Sequence, residues 1–121
     1  MTQKIILVIE DDPDIRLTLK DILEDEGYLV LEASNGQEGL QALELGAQPD
    51  LIFLDAMMPV KNGSAFRADQ LENAHWAKIP TIVMSAARDI ESQPGLGNTG
   101  CILRKPVDLD ELLGLTHQFL N

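Results

Sequence analysis

Five short apolar runs punctuate the chain, at residues 5–9, 29–31, 51–54, 81–84 and 101–103. None of them alternates apolar with polar positions, so each reads as a strand buried on both faces of a sheet. Between the runs, apolar positions recur at helical spacing. Ile15, Leu19, Ile22 and Leu23 share one helix face; Asp12 can cap that helix, Pro13 suits its first position and Gly27 stops it. Ser34 and Gln37 have capping-box spacing ahead of Leu40 and Leu43. Asp108 and Glu111 repeat that spacing ahead of Leu109, Leu112, Leu113 and Leu120. A weaker helix over about 64–73 is carried by Ala65, Phe66, Ala68 and Leu71. The stretch 88–99 holds Pro94, Gly95 and Gly97, with Gly100 after it, so a helix there is expected to be shortened or irregular.

A β-α unit repeated five times predicts an α/β fold with helices on both faces of a parallel sheet. The best-fitting topology is a doubly wound five-stranded parallel sheet of order 2-1-3-4-5, flavodoxin-like. A length of 121 residues suits a single domain, 1–121, and 45% hydrophobic residues suffice for a normal core. The first apolar run is too short for a leader h-region or a membrane span, so a cytoplasmic protein is expected. Cys101 is the single cysteine, which excludes an internal disulfide and a cysteine-based zinc site. The net charge of −11 would repel phosphate backbones, so no direct nucleic-acid binding is expected.

In such a sheet, ligands bind beyond the carboxyl ends of the strands. The residues there are Glu10-Asp11-Asp12, Asp55, Ser85 and Lys105; the second strand ends in Ala33-Ser34 and offers nothing comparable. Glu10, Asp11 and Asp55 would converge as three carboxylates, whose mutual repulsion a cation relieves. Hard oxygen ligands select Mg2+, with Mn2+ as an alternative. Glu10-Asp11 alone also fits plain compensation of a helix dipole. Asp55 changes that balance, because it closes an apolar strand and is followed by a loop marked by Pro59 and Gly63. An aspartate beside a divalent ion can attack a phosphoryl donor and form an acyl phosphate. Lys105 is placed to balance charge on the phosphoryl oxygens, and Ser85 to donate a hydrogen bond to them.

These residues carry a family resemblance over nearly the whole chain. Ile6-Leu7-Val8-Ile9-Glu10-Asp11-Asp12, Asp55-Ala56-Met57-Met58-Pro59 with Gly63, Pro80-Thr81-Ile82-Val83-Met84-Ser85-Ala86 and Lys105-Pro106, in that order, resemble the receiver domain of bacterial two-component response regulators. The resemblance implies a signalling switch rather than an enzyme acting on outside substrates. Asp55 is the implied phosphoacceptor. Glu10, Asp11, Asp55 and the backbone carbonyl of Met57 are the implied metal ligands, with Ser85 and Lys105 contacting the phosphoryl group. Asp12 is left to cap the helix. A sensor histidine kinase or histidine phosphotransfer protein is the implied donor, and an unidentified downstream protein reads the result. The implied Lys105-Pro106 peptide is cis.

Three features depart from the pattern. Ile102 stands where many receivers carry Tyr or Phe, the interval from Ser85 to Lys105 is short and rich in helix breakers, and Cys101 follows Asn98-Thr99-Gly100 in place of a Gly-Ala-Asp-Asp-like run. The switch is therefore expected to act through a change of order across about 88–100 rather than an aromatic flip. Two other readings of the fold fit less well. A haloacid-dehalogenase-type phosphatase needs a second acid where Met57 stands, and a flavodoxin-like cofactor binder needs a glycine loop where Glu10-Asp11-Asp12-Pro13 stands. A degenerate receiver acting as a constant interaction module would lack one of Glu10, Asp11, Asp55, Ser85 or Lys105, and all five are present.

Overall fold

The computed structural model describes residues 3–87, 90, 93–96 and 101–121. Strands β1 (Ile5–Ile9), β2 (Leu29–Ala33), β3 (Leu51–Asp55), β4 (Thr81–Ser85) and β5 (Ile102–Arg104) form one parallel sheet of order β2-β1-β3-β4-β5. Helices α1 (Pro13–Asp25), α2 (Gly36–Glu44), α3 (Gly63–Glu72) and α4 (Leu109–Leu120) flank it, and a 3-10 turn spans Trp76–Lys78. The doubly wound expectation holds. No helix among the described residues is long and apolar enough to cross a membrane.

The alternation of side chains along each strand divides the core in two. Ile6, Val8, Phe53, Ile82 and Met84 point to one face and pack with Leu19, Leu23 and Leu112 from α1 and α4. Leu7, Ile9, Ile52, Leu54 and Val83 point to the other and pack with Leu43 and Phe66 from α2 and α3, and with Ile90 and Leu96. Each such side chain contributes about 1.5–3 kcal/mol by leaving water. Because β1, β3 and β4 are covered on both faces, the sheet leaves polar chemistry to the strand ends.

Asp12 caps α1 as expected, accepting from the amides of Asp14 (2.9 Å) and Ile15 (3.2 Å), with Pro13 opening the helix. Gly27, past its end, has φ +94°, which a side chain would strain. Asp108 caps α4 through the amide of Glu111. The α2 cap differs from the expected box. Asn35, not Ser34, accepts from the Glu38 amide at 2.9 Å, while the Ser34 amide and hydroxyl both donate to the Glu38 carboxylate. The box is thus shifted by one residue, because Asn35 is extended and Gly36 begins the helix. Asn62 similarly caps α3 and starts it at Gly63, one residue before the expected Ser64. Cys101 lies just outside β5, whose first residue is Ile102.

Between β4 and β5, residues 94–96 form a turn, with Gln93 donating to the Ile90 carbonyl and Leu96 to that of Gln93. The rest of the expected irregular helix over 88–99, and most of the proposed order change over 88–100, lie outside the described residues.

The Gly36 amide donates to the Lys61 carbonyl at 2.9 Å, tying α2 to the loop after β3, and a Cβ on Gly36 would stand 2.5 Å from that same oxygen. Gly36→Ala is therefore expected to lower stability by about 1–3 kcal/mol, the usual cost of overpacking a site that cannot yield. Urea denaturation measures it, and an unchanged midpoint would show that the loop moves aside freely.

Candidate functional site

Strand register builds the site. Ile9 pairs with Leu54, so the next residues, Glu10 and Asp55, leave the sheet side by side. Asp55 pairs with Met84, which places Ser85 one step further along β4. Ser85 pairs with Arg104, and the Lys105 amide donates to the Ser85 carbonyl at 2.9 Å. Four strand ends thus deliver their polar residues to one rim.

The structure brings Glu10, Asp11 and Asp55 together, each offering a carboxylate oxygen, all within 4.8 Å of one another. Glu10 is fully buried and Asp55 is 3% exposed, whereas Asp11 faces solvent. Lys105 Nζ reaches in from β5 and lies 2.8 Å from Glu10 Oε1 and 3.3 Å from Asp55 Oδ1. The Lys105-Pro106 peptide is cis, as the resemblance implied. Ser85 is buried, and its Oγ accepts from the Ala87 amide at 2.9 Å. The Met57 amide donates to Asp55 Oδ1 at 3.3 Å, and its side chain is 65% exposed.

Two supports were not expected from sequence. Arg16 Nη1 donates to the Glu10 carbonyl at 2.8 Å, and Arg16 Nε lies 3.4 Å from Glu32 Oε1 on β2. The Asp12 amide donates to Glu10 Oε2 at 3.3 Å. Arg16 follows the Asp12 cap by one helical turn, which was the available signal, but a helix-face arginine alone gives no hint of its partner.

The electrostatics follow from crowding. Burial, then hydrogen bonding to Glu10 and Asp11, pushes the Asp55 carboxyl up to about 8. Asp11 is held below its usual range: burial opposes this, but hydrogen bonds with Asp55 and Glu10 and the nearby Lys105 charge outweigh it. Burial works against the Lys105 ammonium, yet its contacts with Glu10 and Asp55 raise its pKa. One ammonium faces three acids, so a proton or a further cation is needed to balance them. Clustered hard oxygen donors of this kind fit Mg2+ or Mn2+.

Comparison with known proteins agrees with this construction. The family model described as the response regulator receiver domain matches residues 6–117. A 14.6 kDa protein from the sodA1 3′ region of Leptolyngbya boryana is 37% identical over 121 residues, covering 98% of this chain and 92% of that protein. The protein PilH of Pseudomonas aeruginosa is 33% identical, over 89% of this chain and 90% of its own length. The DNA-binding regulator RpaA of Synechocystis is 35% identical over 96% of this chain, but only 48% of its length is covered. Among solved structures, the response regulator TrrA of Thermotoga maritima, in complex with Mg2+ and BeF, superposes with a TM-score of 0.86 at 30% identity, covering 98% of this chain and 100% of TrrA. The chemotaxis regulator CheY4 of Vibrio cholerae gives 0.85 at 27% identity, with the same coverage. The chain belongs to the response regulator receiver domain family of two-component systems.

The raised Asp55 pKa fixes the sign of a pH effect. Asp55 is neutral in the metal-free fold where an unfolded aspartate, with a pKa near 3.9, is charged. Its contribution to stability is full below that unfolded value and is lost as pH rises through about 8. Urea midpoints measured in EDTA are expected to fall as pH rises from about 4 to about 8, the limits of that window, and Asp55→Asn should flatten the slope. Asp11 titrates below this range and does not oppose it. A slope as steep in Asp55→Asn as in wild type would assign the effect elsewhere.

Proposed function

We propose that this receiver is a phosphorylation-dependent switch in which Asp55 accepts a phosphoryl group from a phosphohistidine on a sensor histidine kinase or histidine phosphotransfer protein. The observation that carries the reading is the juxtaposition of three carboxylates within 4.8 Å with the Lys105 ammonium 3.3 Å from the acceptor. A carboxylate oxygen of Asp55 attacks phosphorus, the phosphorus–nitrogen bond breaks and the imidazole leaves, giving an acyl phosphate. Lys105 balances negative charge on the transferring oxygens, and the Ser85 hydroxyl donates a hydrogen bond to one of them. Glu10, Asp11, Asp55 and the Met57 backbone carbonyl are the proposed ligands of a Mg2+ ion, which would neutralise the remaining charge. The likeness to TrrA, whose structure is a complex with Mg2+ and BeF, supports this assignment.

The protein in this reading catalyses only its own phosphorylation and dephosphorylation, and presents an altered face to a downstream protein. The strongly acidic surface argues against direct nucleic-acid contact by this domain. A cytoplasmic setting follows from the proposed kinase partner.

Incubation with Mg2+ and acetyl phosphate is expected to add one phosphoryl group by intact mass, and none to Asp55→Asn. Persistent labelling of Asp55→Asn would remove Asp55 from its role. Asp11→Asn should relieve repulsion, leaving stability equal or higher, while weakening Mg2+ binding by about tenfold or more, on the order of one lost charged oxygen ligand (a factor of ten is 1.4 kcal/mol). Calorimetric titration showing wild-type affinity in that variant would contradict the ligand set.

The lifetime of the acyl phosphate is a separate outcome. Met57 and Ala87, two residues beyond Asp55 and Ser85, carry no side-chain group that could orient a hydrolytic water. Slow autodephosphorylation is expected, and loss of the added mass within seconds at room temperature would rule that out.

A further inference from the structure

The backbone that carries Glu10 and Asp11 is held from two sides. The Glu10 amide donates to the Ala33 carbonyl of β2 at 3.0 Å, which extends the sheet one residue past the end of β1. The Glu10 carbonyl accepts from Arg16 Nη1 at 2.8 Å. Arg16 is anchored in turn: its amide donates to the Asp12 carbonyl at 2.9 Å at the start of α1, and its Nε lies 3.4 Å from Glu32 Oε1 on β2, the edge strand. The guanidinium thus braces α1 against β2 and grips the chain at the point where β1 ends. Its charge is turned outward. Glu32 and Glu38 line the same depression as the guanidinium, and hydrogen bonds from Ser34, then the Arg16 charge, hold the Glu38 carboxyl below its usual range. The cation acting on the Asp11 and Asp55 carboxyls is Lys105.

Arg16 therefore reaches the acidic rim through a peptide. The Glu10–Asp11 bond is trans, so its C=O and N–H point in opposite directions. Holding the carbonyl outward at Arg16 turns the N–H of the same peptide inward. That N–H belongs to Asp11 and bonds the Asp11 carboxylate. Asp11 faces solvent, so packing does little to fix its side chain, and the direction of its backbone decides where its carboxylate stands. Small errors of aim matter unequally to different ions. Mg2+ demands near-octahedral geometry with oxygens at about 2.0–2.1 Å, whereas Ca2+ accepts about six to eight oxygens at roughly 2.3–2.6 Å.

We propose that Arg16 is a positioning residue: by fixing the Glu10–Asp11 peptide it makes the carboxylate rim favour a small, strictly octahedral cation over a larger, more tolerant one. The cation's place rests on the ligand set proposed above; the grip on the peptide does not. A role through charge has the opposite sign, because removing a cation near three acids strengthens their attraction for every divalent ion. A role through position weakens Mg2+ binding and spares Ca2+.

Arg16→Met removes the donors and the charge, and Arg16→Lys keeps the charge but lacks the planar fork that holds the Glu10 carbonyl and Glu32 together. Calorimetric titrations with Mg2+ and with Ca2+, and amide NMR spectra in EDTA, provide the readouts. Both variants should bind Mg2+ about tenfold more weakly, the usual cost of losing a group that orients a metal ligand, with Ca2+ affinity within about threefold of wild type. In EDTA the Asp11 amide resonance should move, while those of Phe53 and Ile82 in the middle of the sheet keep their wild-type positions and show that the variants fold. A fall of less than about threefold in the preference for Mg2+ over Ca2+ overturns the proposal, whether neither ion or both are affected. So does tighter Mg2+ binding by Arg16→Met, or an Asp11 resonance that does not move. Where Arg16→Met fails to fold, Arg16→Lys carries the test, because a role through charge predicts wild-type behaviour for it. Failure of wild type itself to bind Mg2+ overturns the ligand set instead, and the Asp11 resonance in EDTA then decides whether Arg16 orients the peptide.

Discussion

The molecule is organised around a repulsion. Three carboxylates share a rim within 4.8 Å, two of them nearly or wholly buried, against one ammonium. Such a cluster would disperse if its members sat on loops of ordinary freedom. It is kept together because Glu10 and Asp55 terminate adjacent strands whose apolar bodies lie between two helical layers. Moving either carboxylate away would require shifting β1 or β3 out of register, and a one-residue slip would turn every buried side chain of that strand to the other face. Hydrophobic burial, spread over many residues, thus holds an unfavourable charge arrangement at one point.

Local devices reinforce that arrangement. Asp12 is spent on the α1 cap, so its charge is turned to two amides. The Asp12 amide and Arg16 support the Glu10 carboxylate and carbonyl respectively. Lys105 contacts both buried acids and works to lower the Asp55 pKa, but burial and the neighbouring acids outweigh it and hold that carboxyl well above its ordinary range. A site in this condition has a strong demand for positive charge.

The strand order and the converging acids were legible because both follow from short-range rules: continuous apolar runs mark buried parallel strands, and the first polar residue after each run marks its carboxyl end. Helix starts were less legible. Ser34 and Asn35 are both good caps, and only the close approach of Gly36 to the Lys61 carbonyl, a tertiary contact, makes Asn35 the one used. The 3-10 turn at Trp76–Lys78 has no periodicity to announce it. Arg67 and Gln70 were invisible for a different reason. A polar pair three residues apart on a helix reads as a solvated face, and nothing in the sequence says that the helix presents that pair to β4 and Gly95.

That buried pair gives β4 an uncommon boundary condition. All five residues of the strand are buried, three of them apolar, yet Thr81 at its start is bonded to Gln70 and Ser85 at its end belongs to the acidic rim. Sliding the strand to move Ser85 would break the Gln70 contact at the far end and unpack Ile82, Val83 and Met84 on both faces. Interiors packed at this density respond by discrete rearrangement rather than smooth deformation. The strand is therefore the fixed member, and freedom to move at this end of the sheet is left to the Ser85 side chain and the backbone at Ala87.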